Sequence, residues 1–255
     1  MTSIRRRLAK LAASLTGTVI IHPAEVHQLP ERLHLRRFFE HFDVDAVFDV
    51  GANEGQYATQ LREEIGFRGH IISFEPIPEV AAKLARQASS DPLWHVVTLA
   101  LDREAGPATF NVMAASVFSS LHQPADDQPE VWLKANSVAR KIDVMRATLA
   151  TELPRWRDKL GFHRPFLKMD TQGNDLAIFE GAGAAIDGFV GLQSELSYVH
   201  SYTDAPGFAE TLTAYSAGGF RLSALVPNTA GHFPDLNEVD CIMYRVGAQQ
   251  RDASL

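Results

Sequence analysis

The sequence predicts an α/β fold with a doubly wound, mostly parallel sheet, on three observations. Short runs rich in β-branched and aromatic residues alternate with helical patterns along most of the chain, the signature of βαβ units. Two glycines, Gly51 and Gly55, follow directly on the first such run. An acidic residue, Glu75, ends the second. In 255 residues, 45% apolar and 22% charged, this reads as one large globular domain with apolar surface enough for a continuous core.

At the N-terminus, Arg5, Arg6, Arg7 and Lys10 precede a mildly apolar run from Leu11 to Ile21 that superficially resembles a signal peptide. Ser14, Thr16, Gly17 and Thr18 interrupt the run, and no small-x-small cleavage site follows it. Ile4, Leu8, Leu11 and Leu15 recur at helical spacing, which predicts an amphipathic helix with a basic face. That segment is expected to pack against the domain, with membrane-surface contact or a signal function as its alternatives. No apolar stretch reaches the roughly 20 residues needed to span a bilayer. The expected division is an N-terminal helical segment over 1–42, the α/β domain over 43–247 and a flexible tail over 248–255.

The elements follow in order. Ala46 to Val50 is the first strand and Gln56 to Glu64 its helix; His70 to Glu75 is the second strand, followed by a helix from Pro78, where proline suits a first turn. Trp94 to Leu101 is the third strand. Ala108 to Met113 reads as an extra strand, and Ala114 to Glu130, rich in Ser, Pro, Asp and Gln, as a long loop of the kind that carries function. Val138 to Ile142 is a further strand, Asp143 caps a helix to Glu152, and Arg155 to Arg164 is a charged connector. Alternation resumes with Pro165 to Asp170, a helix from Asp175 to Ala185, the strand Phe189 to Leu196 and a helix from Pro206 to Ala217. Phe220 to Val226 and Val239 to Val246 close the chain. The segment between them is too short for a parallel crossover, so they form an antiparallel hairpin.

Charge and cysteine count narrow the function classes. A formal net charge of −7 argues against a duplex nucleic-acid partner, which requires a basic face to neutralise phosphates. The single cysteine, Cys241, excludes an internal disulfide and zinc sites built on paired cysteines. A reducing cytoplasm is the natural setting.

The first strand runs into Asp49-Val50-Gly51-Ala52-Asn53-Glu54-Gly55. Two glycines at a strand-to-helix turn let the backbone approach a nucleotide-like ligand, or serve only the turn's need for positive φ. Glu75 stands where Rossmann-type folds place a ribose-binding acid; its alternative is a solvated strand-end carboxylate. Asn53 takes the place that a dinucleotide fingerprint reserves for its second glycine, and Ala58 or its neighbours take that of the third. A nicotinamide dinucleotide is therefore disfavoured relative to S-adenosylmethionine (SAM), which has no pyrophosphate, and Asn53 tolerates left-handed backbone geometry.

Three segments together, Asp49 to Tyr57, Ser73-Phe74-Glu75-Pro76 and Leu167-Lys168-Met169-Asp170-Thr171-Gln172-Gly173, resemble the FkbM family of SAM-dependent O-methyltransferases. The resemblance spans roughly Phe38 to Tyr244. It implies a Rossmann-like, seven-stranded sheet with an antiparallel last strand, in agreement with the hairpin. It further implies that Asp49, Gly51, Asn53, Gly55 and Tyr57 hold the methionine part of SAM, Glu75 and Pro76 the ribose, and Ala100, Leu101 and Asp102 flank the adenine. Asp170 and Glu195, at the tips of neighbouring strands, would face the methyl group and acceptor, with His200 next.

Methyl transfer to a hydroxyl is an in-line displacement that rewards alignment and a base for the hydroxyl proton. Asp170 is the first candidate for that base, followed by Glu195 and His200; His122 is weaker. Asp170 has the alternative role of a helix cap, and Asp170 with Glu195 has the alternative of holding Mg²⁺. The acceptor implied is a hydroxyl on a sugar, glycolipid, polysaccharide or natural product, with S-adenosyl-L-homocysteine (SAH) as coproduct. The reading allows peripheral membrane contact through the basic N-terminal segment and a homo-oligomer. Its competitors are an NAD-dependent oxidoreductase and a non-catalytic nucleotide-binding protein of the same fold.

Overall fold

The computed structural model describes residues 28–126, 130–199, 201–227 and 236–248. The amphipathic helix expected around Ile4 to Leu15 lies outside them, as does His200. The first described element is helix α1 (Leu29–Phe42), which buries Leu35, Phe38, Phe39 and Phe42. That i, i+3, i+4, i+7 spacing forms one apolar stripe, and the helix stops where Asp43 takes a left-handed φ of 52°.

Seven strands build the main sheet: β1 (Ala46–Val50), β2 (His70–Phe74), β3 (Trp94–Val97), β7 (Pro165–Met169), β8 (Gly191–Ser197), β9 (Phe220–Pro227) and β10 (Glu238–Arg245), in the order β3-β2-β1-β7-β8-β10-β9. The first five are mutually parallel where they pair, and β10 runs antiparallel to both β8 and β9. This is the seven-stranded arrangement with the antiparallel closing hairpin. The central strands β1 and β7 are buried along their whole length, which is why they read as near-continuous apolar runs.

Helices cover both faces. On one, Phe48, Phe74, Leu167 and Leu192 pack with α5 (Leu149–Leu160), α6 (Asp175–Gly181) and α7 (Phe208–Ala217). On the other, Val47, Ile71, Phe166 and Ile242 pack with α1, with α2 (Gln56–Gln60), and with α3 (Pro78–Ala88). α2 continues into a π-helical turn over Leu61–Ile65.

The middle of the chain departs from expectation. The run Trp94 to Leu101 splits: β3 joins the main sheet, whereas β4 (Ala100–Leu101) belongs to a second sheet of order β4-β6-β5. Asp143 caps no helix but sits inside β6 (Val138–Ala147), which pairs antiparallel with β5 (Gly106–Met113). Most of β6 is solvent-facing, so its Arg, Lys and Asp residues concealed a strand. The expected connector over Arg155 to Arg164 is largely helix α5, whose Leu149, Leu153 and Trp156 form a buried stripe. Pro154 and the surrounding charges hid that periodicity. The loop after β5 contains a 3₁₀ turn at Ser116–Phe118 and the short helix α4 (Glu130–Leu133). No helix among the described residues is long and apolar enough to cross a membrane.

Phe48 is fully buried, its ring 5.9 Å from Phe74, 5.8 Å from Phe162 and 5.4 Å from Phe189. Phe48→Ala is expected to lower the unfolding free energy by about 3–5 kcal/mol, measured by urea denaturation. A loss below about 1 kcal/mol would contradict this packing.

Candidate active site

Val50 is in register with Phe74 on one side and Met169 on the other, so the loops after β1, β2 and β7 emerge at one edge of the sheet. The strand order reverses there, the place where open α/β sheets form a ligand crevice. Gly51 has φ 76°, and a Cβ on it would lie 2.0 Å from the Asp170 carbonyl oxygen. The glycine is thus required by the tip of β7 as well as by its own turn. Asn53 adopts the left-handed conformation expected of it, with φ 45°.

Glu75 is 5% exposed and joins two loops. One carboxylate oxygen accepts the Asn53 N–H at 2.9 Å and the other the Ile77 N–H at 2.8 Å. Burial, against those two hydrogen bonds, pushes its pKa up to about 7.

Asp49 sits beneath the loop rather than on its surface. Fully buried, it accepts the Ser73 hydroxyl at 3.0 Å and lies 3.4 Å from Lys168 Nζ. Burial raises its pKa, with Lys168 and Ser73 opposing. Lys168 also stands 3.5 Å from Asp170 Oδ2 and 5.3 Å from the centre of the Tyr57 ring. Burial works against its charge, but Asp170 and Asp49 outweigh it and hold the ammonium above the usual lysine range.

These loops open onto a cavity of about 350 Å³, within the roughly 300–1,000 Å³ of small-molecule sites. Gly51, Asn53, Tyr57, Glu75 and Pro76 line it, and Ile77, Leu99, Ala100, Leu101 and Phe110 form an apolar wall at one end. Asp49, Gly55 and Asp102 are not on its wall. Gly55, at φ 84°, makes room for Leu84 and Trp94. Asp102 is committed to Arg146 at 2.6 Å and to the Arg103 N–H at 2.7 Å.

At the other end, side-chain alternation places Lys168 and Asp170, Gln193 and Glu195, and Glu238 and Asp240 on the same face of β7, β8 and β10. Gln172 joins the first two carboxylates: its Nε2 donates to Asp170 Oδ1 at 3.1 Å and Glu195 Oε2 at 3.3 Å. The residue is held at φ 57°, its carbonyl accepting the Ser120 hydroxyl at 2.7 Å. The Tyr202 hydroxyl lies 2.9 Å from Gln172 Oε1. Asp170 is free of the capping role, because Asp175 ties the turn by accepting the Thr171 N–H and the Ser194 hydroxyl. His122 lines a separate cleft with Arg103 and Arg146.

The sequence reading missed Gln172, Gln193, Glu31 and Asp240. Gln172 stood inside the third segment quoted above and had a signal; the other three are assembled by tertiary contacts alone. Mg²⁺ at Asp170 and Glu195 does not fit. Among the described residues no three His, Cys, Asp or Glu side chains are grouped to hold a metal ion, and the Gln172 N–H groups already face both carboxylates.

A carboxyl with a folded-state pKa near 7 retains its proton where the unfolded chain has lost it, so its contribution to stability is full below about 4.5 and falls as pH rises through about 7. Glu75→Gln lacks this dependence. In urea unfolding, the variant is expected to gain stability relative to the wild type between about pH 5 and pH 8; a pH-independent difference would contradict the buried carboxyl.

Residues 49–222, more than half of the chain, match a family model described as "Methyltransferase FkbM domain". No curated protein matches the sequence. Among solved structures, the FkbM methyltransferase from Methylobacillus flagellatus KT is 16% identical with a TM-score of 0.47; the match covers 79% of this chain and 44% of that one. Aeropyrum pernix fibrillarin with natively bound S-adenosyl-L-methionine is 13% identical, TM-score 0.43, over 92% of this chain and 74% of that one. Magnesium protoporphyrin IX methyltransferase from Synechocystis PCC 6803 with bound SAM is 9% identical, TM-score 0.46, over 96% and 92%. On the strength of the family match, the chain belongs to the FkbM methyltransferase domain family.

Proposed function

We propose that this chain transfers the methyl group of SAM to a hydroxyl of a sugar, glycolipid, polysaccharide or natural-product acceptor. The observation that carries the reading is the pair Asp170 and Glu195, bridged by Gln172 on the wall of the cavity that the Gly51 loop also lines.

The residues present suit the cofactor. The apolar wall of Ile77, Leu99, Ala100 and Phe110 fits a purine, and the Glu75 carboxylate reaches the same cavity with lone pairs left for ribose hydroxyls. When bound, SAM supplies an electrophilic methyl group on a positively charged sulfur. An acid-rich wall favours a cationic ligand.

Asp170 is the group placed to take the acceptor's hydroxyl proton. Of the two acids paired with Lys168 it is the exposed one, with a side-chain exposure of 44% against 0% for Asp49, so an incoming hydroxyl can reach it. Gln172 fixes its orientation and that of Glu195 through charge-assisted hydrogen bonds. The loop carrying Ser116 and Val117, also on the cavity wall, frames the acceptor side, where loop variation sets specificity. A neutral hydroxyl acceptor and the lack of a duplex nucleic-acid partner agree with the acidic balance of the chain, and a cytoplasmic setting agrees with its single cysteine.

Asp170→Asn should lower turnover about 100-fold or more, the usual loss for a positioned base, with SAM affinity nearly intact. Glu75→Ala should do the reverse and weaken SAM binding. Both are read by calorimetry and by transfer of label from methyl-radiolabelled SAM to sugar and glycolipid fractions. Full activity of Asp170→Asn removes it from the chemistry; stabilisation of the wild type by NAD and none by SAM overturns the reading.

A further inference from the structure

Asp49, buried under its loop and paired with Ser73 and Lys168, presents no carboxylate to the cavity. The end of the cavity beyond Tyr57 has other acids. Glu31, in the first turn of α1, lines it and accepts Gln193 Nε2 at 2.7 Å. Gln193, 3% exposed, accepts the Tyr57 hydroxyl at 2.9 Å and stands 3.5 Å from Asp240 Oδ1. Gln193 is thereby saturated, with both its donors and its acceptor in use.

The two carboxylates are not. Among the described residues neither Glu31 nor Asp240 makes an ion pair, and Lys168 is committed to Asp49 and Asp170. On the same wall, Gln60 Nε2 is a buried donor with no partner among the described residues, a costly state for an amide unless a ligand supplies the acceptor. Two carboxyls without a cationic partner, of which Asp240 is pushed up to about 8 by burial and by the neighbouring Glu31, and an unmatched N–H donor on one wall are the complement of an amino-acid zwitterion, whose ammonium would draw the Asp240 proton off. Helix α1 is anchored there by Arg32 on Glu64 at 2.7 Å and by His34 on Ser223 at 2.8 Å, so Glu31 is held in place before any ligand arrives.

We infer that Glu31, from the N-terminal helix, together with Asp240 binds the ammonium group of the cofactor's amino-acid tail, while Gln60 donates to its carboxylate; this rests on the SAM reading above. The N-terminal helix is then part of the cofactor site. Its role is to select cofactor and coproduct, which carry the tail, over nucleosides that lack it.

The test is titration calorimetry of the full chain with SAH and with 5′-methylthioadenosine, a nucleoside thioether without the tail. Glu31→Gln, isosteric and able to keep the Gln193 contact, should weaken SAH about tenfold or more, as loss of a charge-assisted hydrogen bond does, and leave methylthioadenosine within about twofold. Gln60→Leu should show the same split. Equal losses for both ligands, or no loss for either, overturn the inference while leaving the cofactor reading intact. Failure of the wild type to bind SAM or SAH overturns both.

Discussion

Everything at the ligand edge of this sheet depends on a polar rung buried beneath it. Asp49 of β1 is in register with Ser73 of β2 and Lys168 of β7, and Lys168 with Gln193 of β8. Across these strands Ser73 donates to Asp49, Lys168 faces Asp49, and the Trp94 indole N–H donates to Ser73. A buried ion pair contributes little net stability relative to apolar packing, but losing one partner strands a charge at a cost of about 3–5 kcal/mol. A one-residue slip of any strand would break the rung and turn its side chains to the other face. The rung therefore specifies register, and register sets the positions of the Gly51 loop, Glu75 and Asp170 one or two residues further on.

From that layer upward the site follows by geometry. Gly51 passes within a Cβ's reach of the Asp170 carbonyl, so the glycine loop and the tip of β7 are one packed unit. Asn53 and Ile77 share the Glu75 carboxylate, which ties the first loop to the second. Gln172 ties the tips of β7 and β8, and Ser120 and Tyr202 tie Gln172 to the long loop. The carboxylates at the strand tips are thus held by hydrogen bonds rather than by the loop's own stiffness, the preorganisation that the proposed transfer would need.

The parallel strands and their glycine turn were legible in the sequence because burial on both faces leaves uninterrupted apolar runs, as in Ala46 to Val50 and Pro165 to Met169. The second sheet was not, because β6 exposes most of its side chains and its charges imitate a connector. Helix α5 was obscured by Pro154 and its charged face, although Trp156 marked the buried side. Glu75 and Asp170 were picked out as strand-end acids, the positions from which such folds reach a crevice, and both line the cavity. Asp49 and Asp102 have the right residue type at the right strand ends, yet the first completes the buried rung and the second pairs with Arg146. Glu31, Gln193 and Asp240 come from three separate elements, α1, β8 and β10, and no spacing along the chain joins them.

The central claim is that this one cavity takes a methyl-donor cofactor, with its sulfur beside Asp170. A crystal structure of the full chain with SAH tests it most directly. The account predicts the adenine between the Leu99–Leu101 segment and Phe110, the ribose at Glu75, and the sulfur facing the Asp170 and Glu195 carboxylates. SAH bound elsewhere on the chain, or seated with its sulfur turned away from that carboxylate pair, would contradict it.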